Sequence, residues 1–185
     1  MARAGESDDL AISAMIAILD AAYGDAAASV SCVLCAAWDA AAPIQECAQL
    51  HPPARAYEPG QFYKRELPLL LAVLSGRTPA PEIILIDGYV WLDDEMKRPG
   101  LGAHLFEALQ GRSAVVGLAK TRFRGVGSGF AITRGRSASP LFVTAQGMKS
   151  DEAAAGVRGM SGAHRIPTLV RRADALARAA LVRTE

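Results

Sequence analysis

An α/β domain built on a mixed sheet, with helices covering its faces, is the fold class this sequence predicts. Three observations carry that expectation. The chain has 185 residues, enough for one domain with a sizeable core. Its first fifty residues hold three strand-like segments separated by short turns. Its middle alternates helical and strand-like patterns around the continuous apolar run Ile83-Ile84-Leu85-Ile86, which suits a buried strand.

The elements follow in order. Ala14 to Tyr23 reads as the first strand, with Ile16, Ile18 and Asp20 on one face by period two. Strands near Ser29–Trp38 and Ile44–Leu50 complete an antiparallel meander. Gln61 to Leu74 is helical, and Phe62, Glu66, Leu70 and Val73 share one face. A strand over Glu82–Asp87, a helix near Leu101–Leu109 and a strand over Ala114–Ala119 come next. Short strands at Phe130–Arg134 and Pro140–Thr144 precede helices near Ser150–Gly159 and Pro167–Leu181, with Pro167 in a first-turn position. Three strands, then helix, strand, helix and strand, is the order of a ribonuclease H-like mixed sheet. No linker divides the chain, so residues 1–185 are read as one domain, with 1–10 flexible.

Composition narrows the function classes. Half of the residues are hydrophobic (51%), as in ordinary globular proteins. No apolar run reaches the roughly 18 residues of a membrane span. Met1 to Asp9 lacks the pattern of a signal peptide, so a cytoplasmic monomer with no membrane partner is expected. The net charge is +1, but it is unevenly spread. Residues 1–119 carry 8 Lys and Arg against 15 Asp and Glu, and residues 120–185 carry 12 against 4. A basic half beside an acidic half suits a polyanion-binding face next to a carboxylate metal site, although charges also cluster on plain solvated surfaces.

Cys32 and Cys35 form a C-x-x-C, but within a strand positions i and i+3 face opposite ways. Buried structural thiols are therefore expected rather than a zinc or redox pair. The G-x-G-x-G of Gly125–Gly129 is not followed by a long helix, so it reads as a loop rather than a phosphate cradle.

Three carboxylates stand where apolar residues are expected. Asp20 closes the face of Ile16 and Ile18, Glu66 lies between Phe62 and Leu70, and Asp87 ends the buried strand before Gly88. Ligands of open α/β sheets gather beyond the carboxyl ends of strands. Each acid alone reads as a cap or an exposed end. Three buried carboxylates from separate elements converge only if a cation neutralises them. An all-oxygen set suits Mg²⁺, with Mn²⁺ as a substitute. Asp174, in the last helix, is a solvated helix acid by its pattern and a fourth candidate by the expected topology.

Several ordered segments resemble the endonuclease V family, the deoxyinosine 3′-endonucleases. Tyr57-Glu58-Pro59-Gly60 with Lys64-Arg65-Glu66-Leu67-Pro68 is similar to the family's Tyr-x-Pro-Gly…Arg-Glu-x-Pro. Ile86-Asp87-Gly88 resembles its Val-Asp-Gly, and Gly117-Leu118-Ala119-Lys120-Thr121-Arg122 its Gly-Val-Ala-Lys-x-Arg. Pro140-Leu141-Phe142-Val143 and Arg165-Ile166-Pro167…Arg171-Arg172-Ala173-Asp174 resemble its closing segments. The resemblance implies a Mg²⁺-dependent endonuclease of nucleic-acid repair, acting on DNA or RNA near inosine. It implies that Asp20, Glu66 and Asp87 hold the metal, that Asp174 supports it, and that Lys120 faces the scissile phosphate. Tyr57, with Pro59 and Gly60, would form the wedge at the damaged base. Without the resemblance, Lys120 is a strand-end lysine and Tyr57 a loop tyrosine.

The chain also departs from the family's pattern. A basic, His-containing stretch after Val-Asp-Gly is replaced here by Tyr89-Val90-Trp91-Leu92-Asp93-Asp94-Glu95-Met96-Lys97-Arg98-Pro99. Gly147-Met148 stands where the family has Gly-His, and the region between Lys120 and Pro140 is short. His104 stands where the family has Ala-Ser-His and is a substrate contact or a plain helix-face histidine. Tyr89 and Trp91 offer stacking surfaces for an unpaired base, with Asp93, Asp94 and Glu95 repelling a duplex. The other reading folds this segment away from the cleft, with Trp91 in the core. A nuclease for another structured or single-stranded substrate, and a non-catalytic nucleic-acid-binding domain, stand as the alternative functions.

Overall fold

The computed structural model describes residues 15–53, 61–93, 95–127 and 130–182. Among the described residues, seven strands form one mixed sheet: β1 (Ile16–Tyr23), β2 (Ala28–Cys35), β3 (Gln45–His51), β4 (Ile83–Asp87), β5 (Ala114–Ala119), β6 (Ala131–Ile132) and β7 (Leu141–Gln146). Their spatial order is β3-β2-β1-β4-β5-β7-β6. The meander β1-β2-β3 is antiparallel, β4 runs parallel to both β1 and β5, and β7 runs antiparallel to β5 and β6. Helices α1 (Phe62–Leu74), α2 (Leu101–Ala108), α3 (Ser150–Gly159) and α4 (Thr168–Val182) flank it. The fold class matches the sequence-based expectation.

Strand alternation divides the core in two. Ile16, Ile18, Val33, Leu85, Val116 and Leu118 face α3 and α4, whose Val157, Leu169 and Ala173 pack on them. Ala17, Leu19, Val30, Ile84, Ile86 and Val115 face α1 and α2, whose Leu70, Val73 and Leu105 pack on them. Each fully buried Ile, Leu or Val contributes about 1.5–3 kcal/mol of transfer free energy. Cys32 belongs to the second layer and Cys35 to the first, so the C-x-x-C thiols point to opposite faces as expected. Burial pushes them up to about 12 and about 11, which keeps both protonated.

Two small polar residues seat α4. The Ser29 and Ser31 hydroxyls, both buried on β2, donate to the carbonyls of Ala177 and Ala173 at 2.5 and 2.7 Å. Ala173 and Ala177 lie one turn apart and present no bulk, so the helix approaches the strand closely. This contact fixes where Asp174 falls.

Two strands end earlier than their patterns suggested. β2 ends at Cys35, and Trp38 instead packs on α3, where a Cβ on Gly156 would come within 2.4 Å of its ring. β6 ends at Ile132 because Arg134 turns inward, buried, to donate to the carbonyls of His164 and Met160.

Candidate active site

The parallel pairing of β1 and β4 places Leu19 opposite Ile86. The next residue of each strand, Asp20 and Asp87, therefore lies side by side at the carboxyl end of β4, on the face that carries Ile18 and Leu85. One strand further, Asp87 pairs with Leu118, and Lys120 follows the end of β5 on that same face by alternation. The Lys120 ammonium donates to Asp87 Oδ2 at 2.5 Å, with both side chains partly exposed (41% and 35%). Asp20 accepts from the Ala21 amide at 2.9 Å.

Glu66 arrives from the other side of the sheet. Its helix packs with Leu69, Leu70 and Val73 on the second core layer, and Glu66 as a residue is buried at 8% exposure. It meets the aspartates around the strand ends, in a cavity of about 290 Å³ lined by Leu19, Asp20, Ala21, Glu66, Leu70, Asp87 and Gly88. Burial, with the charges of Asp87 and Asp174 behind it, pushes Asp20 up to about 7. Burial, reinforced by Asp20 and Asp87, pushes Glu66 up to about 8. Both acids thus resist ionisation near neutral pH, as expected of carboxylates crowded away from water. The Tyr23 hydroxyl stands beside Glu66 but is buried without reaching good hydrogen-bond geometry, and the Arg65 guanidinium lies 3.6 Å above the Tyr23 ring.

Among the described residues, no three His, Cys, Asp or Glu side chains are placed to hold one metal ion as they stand. Asp87 is instead engaged by Lys120, and Glu66 comes from the helix on the opposite face of the sheet. The donor chemistry nevertheless fits a hard cation, because three carboxylates share one cavity and two of them are destabilised as anions.

A sequence comparison decides the family. The pattern described as Endonuclease V matches residues 2–128 of this chain. The chain belongs to the endonuclease V family. No curated protein matches it significantly by sequence. Among solved structures, it is similar to Ciona intestinalis endonuclease V (D234N) in complex with a 23mer DNA containing an inosine followed by a ribo-adenosine. That match has 19% identity and a TM-score of 0.77, and covers 93% of this chain and 87% of the other. Endonuclease V from Streptomyces avermitilis matches at 26% identity and a TM-score of 0.72, over 94% and 83% of the two chains. Human ENDOV matches at 20% and 0.74, over 92% and 85%. Endonuclease V structures thus share this sheet and its flanking helices.

The remaining candidates are distributed around this centre. Asp174 on α4 pairs with Arg178 at 2.8 Å, and its charge bears on Asp20 and Lys120. His104 is stacked on Tyr63 between α2 and α1, ring centroids 3.7 Å apart, and does not line the cavity. Tyr89 and Trp91 do not line it either. The Tyr89 hydroxyl is tied to the chain at Thr121 and Phe123. Trp91 bridges to Pro99 and packs against the α1–α2 layer, so the segment folds back on itself. Asp93 accepts from the Lys97 amide and Glu95 pairs with Lys97. Tyr57, Pro59, Gly60 and Asp94 lie outside the described residues. No helix among the described residues is long and apolar enough to cross a membrane. Sequence reasoning gave no role to Tyr23 or Arg165. Tyr23 carried one weak signal, being a polar-tipped ring at the end of an apolar strand.

Proposed function

We propose that this chain is a metal-dependent endonuclease that hydrolyses a phosphodiester near inosine, or another deaminated base, in DNA or RNA. The observation that carries the reading is the meeting of Asp20, Glu66 and Asp87 at one cavity with the Lys120 ammonium at its rim. The Ciona relative, whose structure holds inosine-containing DNA, supports the substrate class.

Asp20, Glu66 and Asp87 would hold Mg²⁺ or Mn²⁺. When bound, such a cation neutralises charge at a phosphate and acidifies water. The chain's own groups do the rest. Lys120, whose ammonium stands at Asp87, would offset the charge that develops on the non-bridging oxygens of a phosphate bound beside that carboxylate. Water adds to phosphorus and loses a proton to solvent, the P–O3′ bond breaks, and O3′ takes a proton from solvent, leaving a 3′-hydroxyl and a 5′-phosphate. Asp174 holds negative potential behind Asp20 and favours cation entry.

Incubation with Mg²⁺ and labelled strands carrying inosine, as single strand, duplex and RNA, tests the reading. Cleavage near inosine that stops in EDTA is expected. Equal cleavage of inosine-free strands, or full activity in excess EDTA, overturns it.

A further inference from the structure

The chain that bears Lys120 leaves β5 at its end, where strand pairing stops at Ala119 opposite Phe142. The Lys120 carbonyl therefore lies beyond the ladder. Arg165, from the loop before α4, donates one guanidinium nitrogen to that carbonyl and to the carbonyl of Pro140, at 2.7 Å in the second case. This bond takes the place of the next rung and joins Lys120 to the start of β7.

Beyond Lys120 the chain is held from the other side. The Tyr89 phenol donates to the Thr121 carbonyl at 2.7 Å and accepts from the Phe123 amide at 3.0 Å. Its ring tilts against Phe123, centroids 6.1 Å apart. Tyr89 stands two residues after Asp87, on the segment that crosses over β5, where Val90 donates to Thr144 Oγ1 at 2.8 Å. One phenol thus links the backbone that follows Asp87 to the backbone that follows Lys120. The hydroxyl both donates and accepts within the chain.

We propose that Tyr89 and Arg165 are positioning residues that hold the Lys120 backbone at the distance at which its ammonium reaches Asp87 and the bound phosphate. The proposal rests on the function given above. A strand-end lysine on a flexible stem would otherwise spend most of its time in solvent. A misplacement of about 1 Å at a reacting centre costs roughly a hundredfold in rate. Neither residue touches substrate in this role, and neither supplies charge to the chemistry.

The test uses the full chain carrying Tyr89→Phe, and separately Arg165→Gln. Tyr89→Phe keeps the ring against Phe123 and removes only the hydroxyl. Three quantities are read: amide hydrogen exchange at Thr121–Phe123, the ¹⁵N resonance of the Lys120 ammonium, and the single-turnover cleavage rate against affinity for uncut strand. Each variant is expected to raise exchange at these amides at least tenfold while β2 amides stay unchanged. Each should broaden the ammonium resonance and slow cleavage about tenfold, with affinity within twofold. Unchanged exchange together with an unchanged ammonium resonance overturns the proposal, as does loss of affinity with an unchanged rate. If the unsubstituted chain cuts none of the strands, the proposed function fails. Exchange and resonance then still decide whether the brace exists.

Discussion

Lys120 Nζ stands 2.5 Å from Asp87 Oδ2, so in the free protein an ammonium occupies one of the carboxylates proposed to bind metal. Desolvation alone would lower the lysine, yet its hydrogen bond to Asp87 and the charges of Asp87, Asp20 and Asp174 raise it overall. It is therefore a built-in monocation with which a divalent ion bound at Asp87 would have to compete. Lys120→Met should tighten Mn²⁺ binding roughly fivefold, the equivalent of about 1 kcal/mol for a partly exposed pair. The same variant should slow cleavage far more than it weakens strand binding, since its charge acts mainly on the transition state. Titration calorimetry and single-turnover assays check both. Unchanged or weaker Mn²⁺ binding would remove the competition.

Asp87→Asn should abolish cleavage, by about a thousandfold or more, and leave the fold intact. The amide keeps the shape, and relief of repulsion with Asp20 offsets the lost Lys120 pair. A melting temperature within a few degrees of the parent is expected beside the activity loss. Near-normal cleavage would take Asp87 out of the mechanism.

The raised titrations of Asp20 and Glu66 set a stability profile. Their folded values, about 7 and about 8, lie above the ordinary 3.8 and 4.5, so the folded chain holds these protons more tightly than the unfolded chain. Their burial carries no ionic penalty below about pH 4. The penalty grows as pH rises through the interval up to 8 and is complete above it. In EDTA, the melting temperature should fall between pH 5 and pH 8. Asp20→Asn with Glu66→Gln should flatten that fall, and Mg²⁺ should raise the melting temperature more at pH 8 than at pH 5.5. A decline as steep in the double variant as in the parent would assign it to other groups.

Most of the fold was legible because its signals are local. The period-two faces of β1, the apolar run of β4 and the helical face of α1 each sit within about a dozen residues. The candidate acids were legible for the same reason: each interrupts its own apolar pattern. What the sequence could not show is their relation across the sheet. Glu66 reaches the aspartates from the opposite face, and that depends on the crossover between β1 and β4, not on any spacing. The hydrogen bonds of Tyr89 and Arg165 span 25 to 45 positions and leave no periodic trace. Trp91 was ambiguous for a related reason: an aromatic residue in an irregular segment serves equally well as a platform or as packing.

The packing of Trp91 gives an experiment of its own. It is half-buried against the α1–α2 layer, with its indole nitrogen buried and without a hydrogen-bond partner. Trp91→Ala should lower stability by about 2–3 kcal/mol, somewhat less than for a fully buried ring. It should leave affinity for an inosine-containing single strand within twofold. A fall in affinity worth 1–3 kcal/mol with little change in melting would show instead that a base stacks there.

Gly117 offers the sharpest steric test. It lies in β5 under the segment that follows Asp87, and an added Cβ would come 2.6 Å from the Gly88 carbonyl oxygen and 2.8 Å from the Val90 nitrogen. Both neighbours are backbone, so no side-chain rotation relieves the contact. Thr144 Oγ1, which accepts the Val90 amide, would stand at 3.0 Å. Gly117→Ala must push the Gly88–Val90 segment outward, and Asp87 and Tyr89 move with it. Overpacking of this kind costs about 1–3 kcal/mol, or roughly 5 °C in a chain of this size. The control is Gly159, where a Cβ meets nothing within 4 Å at the end of α3. There, Ala should be neutral or stabilising by a few tenths of a kcal/mol. The distinguishing readout is cleavage at a temperature where both variants are fully folded. Gly117→Ala should cut at least tenfold more slowly than Gly159→Ala, because the shift reaches both Asp87 and the Tyr89 brace of Lys120. Equal rates would mean that the crossing segment tolerates displacement without disturbing the candidate site.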